Sequence, residues 1–180
     1  MELTQNPSVL ELVQKTAELT TPKEIVWIDG SEAQLESLRK IAVETGELIK
    51  LNEEKLPGCY LNRSDVNDVA RVEGRTFICS RTREEAGPTN NWMDPDEMKA
   101  KLHEILRCAM AGRTMYVIPY SMGVIGSPFA KYGIEVTDSI YVVLNMAIMT
   151  RIGTKVLDAL GDSSDVILGV HSKVTLDPEN

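Results

Sequence analysis

A short apolar strand that runs through a glycine turn into an amphipathic helix does most to limit the folds open to this chain. Glu24 to Asp29 (EIVWID) reads as the strand, and Gly30-Ser31 as the turn. Ser31 stands where it can cap a helix carrying Leu35, Leu38, Ile41 and Ala42. Strand–turn–helix order of this kind belongs to α/β organisation, in which a sheet is covered by helices. The flanking sequence extends the pattern. Pro7-Ser8 followed by VLELVQKTAEL reads as a capped amphipathic helix, with Val9, Leu12, Val13 and Leu19 on or near one face. Asp94-Pro95 pairs a capping side chain with a proline at the first helical position, opening a helix through Met98, Leu102, Ile105 and Leu106. Thr137-Asp138-Ser139 caps a fourth, strongly apolar helix through Ile152, too hydrophobic for a surface position.

Further strands are expected at Arg75 to Ser80 (RTFICS), Thr114 to Met122 (TMYVIPYSM), Ile134 to Thr137 and Asp165 to Ser172 (DVILGVHS). Pro119 inside the second of these points to an edge or bent strand, because proline cannot donate to a ladder. No internal repeat, low-complexity run or dividing linker interrupts the order. A length of 180 residues suits one domain with a real hydrophobic core.

Charge excludes several functions. A formal net charge of −8 argues against a nucleic-acid surface, which needs a basic patch. The first twenty residues carry Glu2, Glu11 and Glu18 against Lys15, the wrong balance for a signal peptide. The longest uncharged apolar run, Ser139 to Thr150, is too short to span a bilayer, so no membrane partner is expected. Cys59, Cys79 and Cys108 are odd in number and scattered, which fits a reducing cytoplasm.

Against that acidic background, five of the nine arginines fall between Arg63 and Arg83. A guanidinium is a planar fork of donors that matches carboxylate and phosphate oxygens two at a time. The cluster therefore marks a site for a small anion. Arg75, Arg81 and Arg83 read as solvated charges paired with Glu73, Glu84 and Glu85. Arg71 differs, standing at a junction before a strand, where a side chain can project into a cleft. Other chemistries lack their residues. No Gly-Lys pair exists for a phosphate loop, and no G-x-S-x-G elbow for a serine nucleophile. His103 reads as a helix-surface residue and His171 as a strand residue, neither at a metal-ligand spacing. Cys79 reads as buried and inert.

Several long runs resemble the GTP-dependent phosphoenolpyruvate carboxykinases, in that family's order. They are DVARVEGRTFICS (Asp68–Ser80), AGPTNNWMDP (Ala86–Pro95), GRTMYVIPYSMG (Gly112–Gly123), GSPFAKYGIEVTDSIYVV (Gly126–Val143) and IMTRIG (Ile148–Gly153). The resemblance implies a mixed sheet flanked by helices, the amino-terminal, substrate-side lobe of a two-lobed α/β carboxykinase, as one domain over 1–180. It implies conversion of oxaloacetate and GTP to phosphoenolpyruvate, GDP and carbon dioxide, with Mn²⁺ as the metal, in gluconeogenesis. On it, Arg71 corresponds to the arginine that grips the substrate carboxylate, and Glu73 to an acidic residue associated with lid closure. Gly74 stands where some relatives have serine, which makes for a more flexible loop. The family's nucleotide loop, metal ligands and lid have no counterpart in these 180 residues. The chain is therefore expected to be inactive by itself, to hold neither Mn²⁺ nor GTP, to bind oxaloacetate or phosphoenolpyruvate weakly, and to need a carboxy-terminal lobe as partner. A second expectation is a free-standing binding or regulatory protein derived from that lobe. It would account for Ala147, where the family commonly has arginine, and for Lys173, where it usually continues Val-Gly.

Overall fold

The structure, a computed structural model, describes residues 2–64 and 72–173. In chain order its elements are α1 (Pro7–Thr20), β1 (Glu24–Trp27), α2 (Glu32–Glu44), β2 (Ile49–Lys50) and β3 (Tyr60–Leu61). There follow β4 (Phe77–Ile78), β5 (Asn91–Trp92), α3 (Pro95–Leu106), β6 (Thr114–Met122) and β7 (Lys131–Thr137). The last are α4 (Ile140–Met149), β8 (Arg151–Ile152), α5 (Thr154–Leu160) and β9 (Ile167–Val170). They divide into two compact units, one made of residues up to Arg63 and from Cys108 onward, the other of Ser64 to Arg107.

The larger unit is built on β6. Its residues alternate between two apolar layers, as a strand's period of two requires. Met115 and Val117 pack with Ile134 and Val136 of β7 beneath Val9 and Val13 of α1 and Leu157 and Leu160 of α5. Tyr116 and Ile118 pack on the opposite face beneath Leu35, Leu38 and Ala42 of α2 and Val143 and Leu144 of α4. The result is a mixed sheet between two helical layers. Its order is β1-β6-β7-β9, with β8 added beside β6. The β1–β6 and β7–β9 pairs are parallel; β6–β7 and β6–β8 are antiparallel.

The helix starts follow the capping signals. Ser31 and Ser139 accept from the backbone of Gln34 and Val142. In α1 the cap is Asn6, one residue before the expected Pro7-Ser8, and it does double duty. Its carbonyl oxygen accepts from Ser8 N and Val9 N, while its amide donates to Gly161 O and Ser163 O at 2.7 and 2.9 Å. That fixes α1 to the end of α5. The buried stripe is Val9, Val13, Thr16 and Thr20, so Thr20 takes the place expected for Leu19, its hydroxyl satisfied by Thr16 O.

Three strand and helix expectations need correction. Pro119 lies in the middle of a central strand, not an edge. β1 ends opposite Val117 and the antiparallel β8 ends opposite Tyr120, so the two lie end to end along one side of β6. Pro119 O accepts from Gly153 N on that side, and a residue's N–H and C=O share a side. The missing donor thus faces the junction between strands, where no ladder bond is lost. Two glycines permit the junction: a Cβ on Gly30 (φ 79) would sit 2.5 Å from Ile152 O, and one on Gly153 (φ 103) would press on Asp29 O. The apolar helix ends at Met149, because its expected last turn is strand β8. It is also one-sided: Val143 is buried, while Ile148 and Met149 are 83% and 65% exposed. The strand expected at 75–80 shrinks to Phe77–Ile78, which leaves Cys79 beyond it and exposed, not buried.

Candidate functional site

In the smaller unit the arginine-bearing segment is tied together by polar side chains in place of a core. Glu73–Arg75 forms one 3₁₀ turn, closed by Arg75 N and Thr76 Oγ1 donating to Val72 O. β4 and β5 pair in parallel, Phe77 with Asn91 and Ile78 with Trp92. That register carries the Asn91 amide to the turn, where it donates to Glu73 O at 2.7 Å and Thr76 O at 3.2 Å. Trp92 Nε1 donates to Ser80 O at 3.0 Å. A second 3₁₀ turn, Glu84–Ala86, is held by Asn90 Nδ2 on Ala86 O, and Glu85 accepts from Thr82 N. Ala86 is the one buried residue among those described in this unit.

Arg71 lies outside the described residues, and so does the expectation that it faces a crevice. Glu73 and Gly74 are described, both exposed, both in the first turn. Gly74 has an ordinary φ, and a Cβ added there meets nothing within 4 Å, so the backbone here does not demand glycine. Arg75, Arg81 and Arg83 are exposed as expected. They do not form the expected pairs with Glu73, Glu84 and Glu85: no ion pair of these arginines is found among the described residues. The three guanidinium groups are solvated, in or beside the same turns as the exposed Glu73, Glu84 and Glu85. The sequence reading missed Asn91. Its signal was present in AGPTNNW, but a two-residue strand has no periodicity, and the asparagine's role depends on a partner 18 residues away.

The remaining candidates are structural. His103 is exposed on α3. His171 follows β9, its ring Nδ1 2.9 Å from Thr137 Oγ1. Among the described residues, no group of three or more His, Cys, Asp or Glu is arranged to hold a metal ion. The described residues therefore do not fit Mn²⁺, and no chemical step through it can be built on them. No described helix is long and apolar enough to cross a membrane.

Two carboxylates organise the other unit. Asp138, side chain fully buried, accepts from Arg113 Nε at 2.8 Å, Ser172 Oγ at 3.0 Å and Lys173 N at 2.8 Å. Glu47 accepts from Ser139 Oγ and Tyr141 N at the start of α4, and from Lys173 Nζ at 3.2 Å. Lys173, a departure from the family pattern, is thus an anchor for the chain leaving β9. Ala147, the other, packs against the apolar layer under α2 and α4. On the sheet, the Glu135 side chain lies over Gly169, and the Tyr120 ring over Gly133. Burial pushes the Glu135 carboxyl up; burial, then the Glu135 charge, pushes the Tyr120 phenol up.

Comparison with known proteins gives a consistent result. The family described as phosphoenolpyruvate carboxykinase N-terminal domain matches residues 11–180. A phosphoenolpyruvate carboxykinase [GTP] of Anaeromyxobacter dehalogenans is 52% identical over 98% of this chain, and one of Corynebacterium kroppenstedtii 54% identical over 94%. One from Neocallimastix frontalis is 52% identical over 93%. The chain spans only 30%, 27% and 28% of the length of these three relatives.

Proposed function

Because the chain belongs to the phosphoenolpyruvate carboxykinase amino-terminal domain family, we propose that it supplies the substrate-side arginine loop of a GTP-dependent carboxykinase. In this reading the longer enzyme converts oxaloacetate and GTP to phosphoenolpyruvate, GDP and carbon dioxide in the cytoplasm. Arg71 grips the substrate carboxylate with its two-pronged fork, and Glu73 and Gly74 belong to the loop that moves with lid closure. Mn²⁺ and the nucleotide are held by residues outside this chain, where they supply charge stabilisation for phosphoryl transfer. This chain's contribution is binding and orientation of the organic acid.

The match of the family to 170 consecutive residues that include Arg71 carries this reading. The exposed guanidinium groups of Arg75, Arg81 and Arg83, near a turn braced by Asn91, are its chemical support. Lys173 and Ala147, the departures that suggested a free-standing regulatory protein, both have structural employment in the lobe. Catalysis requires groups held together within a fraction of an ångström, so the chain alone is inactive. An exposed fork and a carboxylate gain roughly 0–1 kcal/mol, so oxalate binding to the chain alone is weak. The test is a GTP-coupled oxaloacetate decarboxylation assay with Mn²⁺ on the purified chain, alongside calorimetric titration with oxalate. Turnover that Arg71→Ala abolishes, or sub-micromolar oxalate binding, would overturn the division of labour. In the longer enzyme, Arg71→Ala should cut kcat/KM by about a hundredfold or more.

A further inference from the structure

The two edges of the main sheet are finished differently. The β1 edge carries a charge in its strand, Glu24, directly after Pro22 and Lys23, all of which discourage further pairing. β9 has no such guard. Between Asp165 and His171 the sequence is VILGV, apolar at successive positions, the pattern of a strand buried on both faces. Its side chains divide accordingly. Leu168 and Val170 align with Ile134 and Val136, in the layer under α1 and α5, while Ile167 and Gly169 align with Gly133 and Glu135 on the other face. Yet Ile167, Leu168 and Val170 remain 52%, 46% and 39% exposed.

The backbone is equally unfinished. His171 N donates to Val136 O, so Gly169 and Ile167 also turn their N–H and C=O towards β7. Leu168 and Val170 turn theirs outward, with no partner strand among the described residues. This is not a fraying end. Immediately after it, Lys173 is fixed through N to Asp138 and through Nζ to Glu47. A strand held this firmly, apolar on both faces and open along one side, is shaped as an interior strand.

We propose that β9 is interior in the longer polypeptide: an extended, apolar strand from sequence beyond these 180 residues pairs with the outward groups of Leu168 and Val170. The relatives carry more than twice as much additional sequence as the matched part, ample to supply such a strand. A second acidic copy is disfavoured by the charge of −8 on each chain. The proposal rests on the reading of the chain as part of a longer carboxykinase, but its readout does not depend on turnover.

Hydrogen exchange of the Leu168 and Val170 amides should be followed in the 180-residue chain, and that of the corresponding amides in the Anaeromyxobacter dehalogenans enzyme, with sedimentation velocity of the chain over a concentration series. The expected result is a monomeric chain with fast exchange at both positions, slowed about a hundredfold or more in the longer enzyme. Equally fast exchange in both would overturn the proposal and leave the carboxykinase reading intact. Protection that grows with concentration in the chain alone, together with dimer formation, would name a second copy as the occupant and also overturn it. Inactivity of the longer enzyme would strike the functional reading and not this one.

Discussion

The sheet unit and the arginine-bearing unit are stabilised by different physics. In the first, β6 lies between two apolar layers, and side chains such as Ile118, Ile134 and Val143 are fully shielded from water. In the second, α3 buries no residue at all, Leu102 is 43% exposed, and order comes from asparagine and tryptophan side chains bonded to backbone carbonyls. Burial of apolar area is non-directional and strong, whereas a net hydrogen bond contributes about 1 kcal/mol but fixes geometry. A loop on the second kind of unit can be well shaped and still open at low cost.

The contrast can be broken most severely in the core. Ile118→Ala should remove about 3–4 kcal/mol from the sheet unit, read as a shift in denaturant midpoint, because Ile118 is fully buried among residues of α2 and α4. A loss under about 1 kcal/mol would mean that this layer is loosely packed. Asp138→Ala should cost about 3 kcal/mol, since it removes at once the acceptor of Arg113 Nε, Ser172 Oγ and Lys173 N. Exchange at His171 should rise in parallel; an unchanged rate there would show the anchor to be redundant.

In the smaller unit Asn91→Ala should cost only about 1 kcal/mol. Its effect should appear as faster exchange at Arg75 and Thr76, while the main unfolding transition stays in place. If the main transition moved with it, the two units would unfold as one, and the comparison above would fail. The smallest effect is a pH slope. Burial raises the Glu135 carboxyl in the folded state, so its contribution favours folding below the ordinary carboxyl value of 4.5 and is lost as pH rises through the folded value. Glu135→Gln should flatten that fall in a pH series of melts; an unaltered slope would mean that solvent reaches the carboxylate freely.

How much was legible beforehand follows the range of the interaction. Ser31, Asp94 and Ser139 were readable as caps because a cap needs only the next three residues. The α/β class followed from strand–turn–helix order, and the family from long runs such as GSPFAKYGIEVTDSIYVV. The arginine cluster was visible as composition. Its bracing was not, because β4 and β5 are two residues each and their pairing is a matter of register.

The sequence by itself marked α1 to α4 as helical but not α5, and showed where most of them begin and which family the chain resembles, because these depend on neighbours a few residues apart. Only the tertiary structure decided that Pro119 could sit in a central strand, since the tolerance comes from β1 and β8 meeting end to end, 125 residues apart at Trp27 and Ile152. It also decided that the apolar helix gives up its last turn to β8, and that Glu47 reaches Lys173 across 126 residues. Those outcomes depend on which distant backbone donors and charges are brought together, and local pattern carries no record of that.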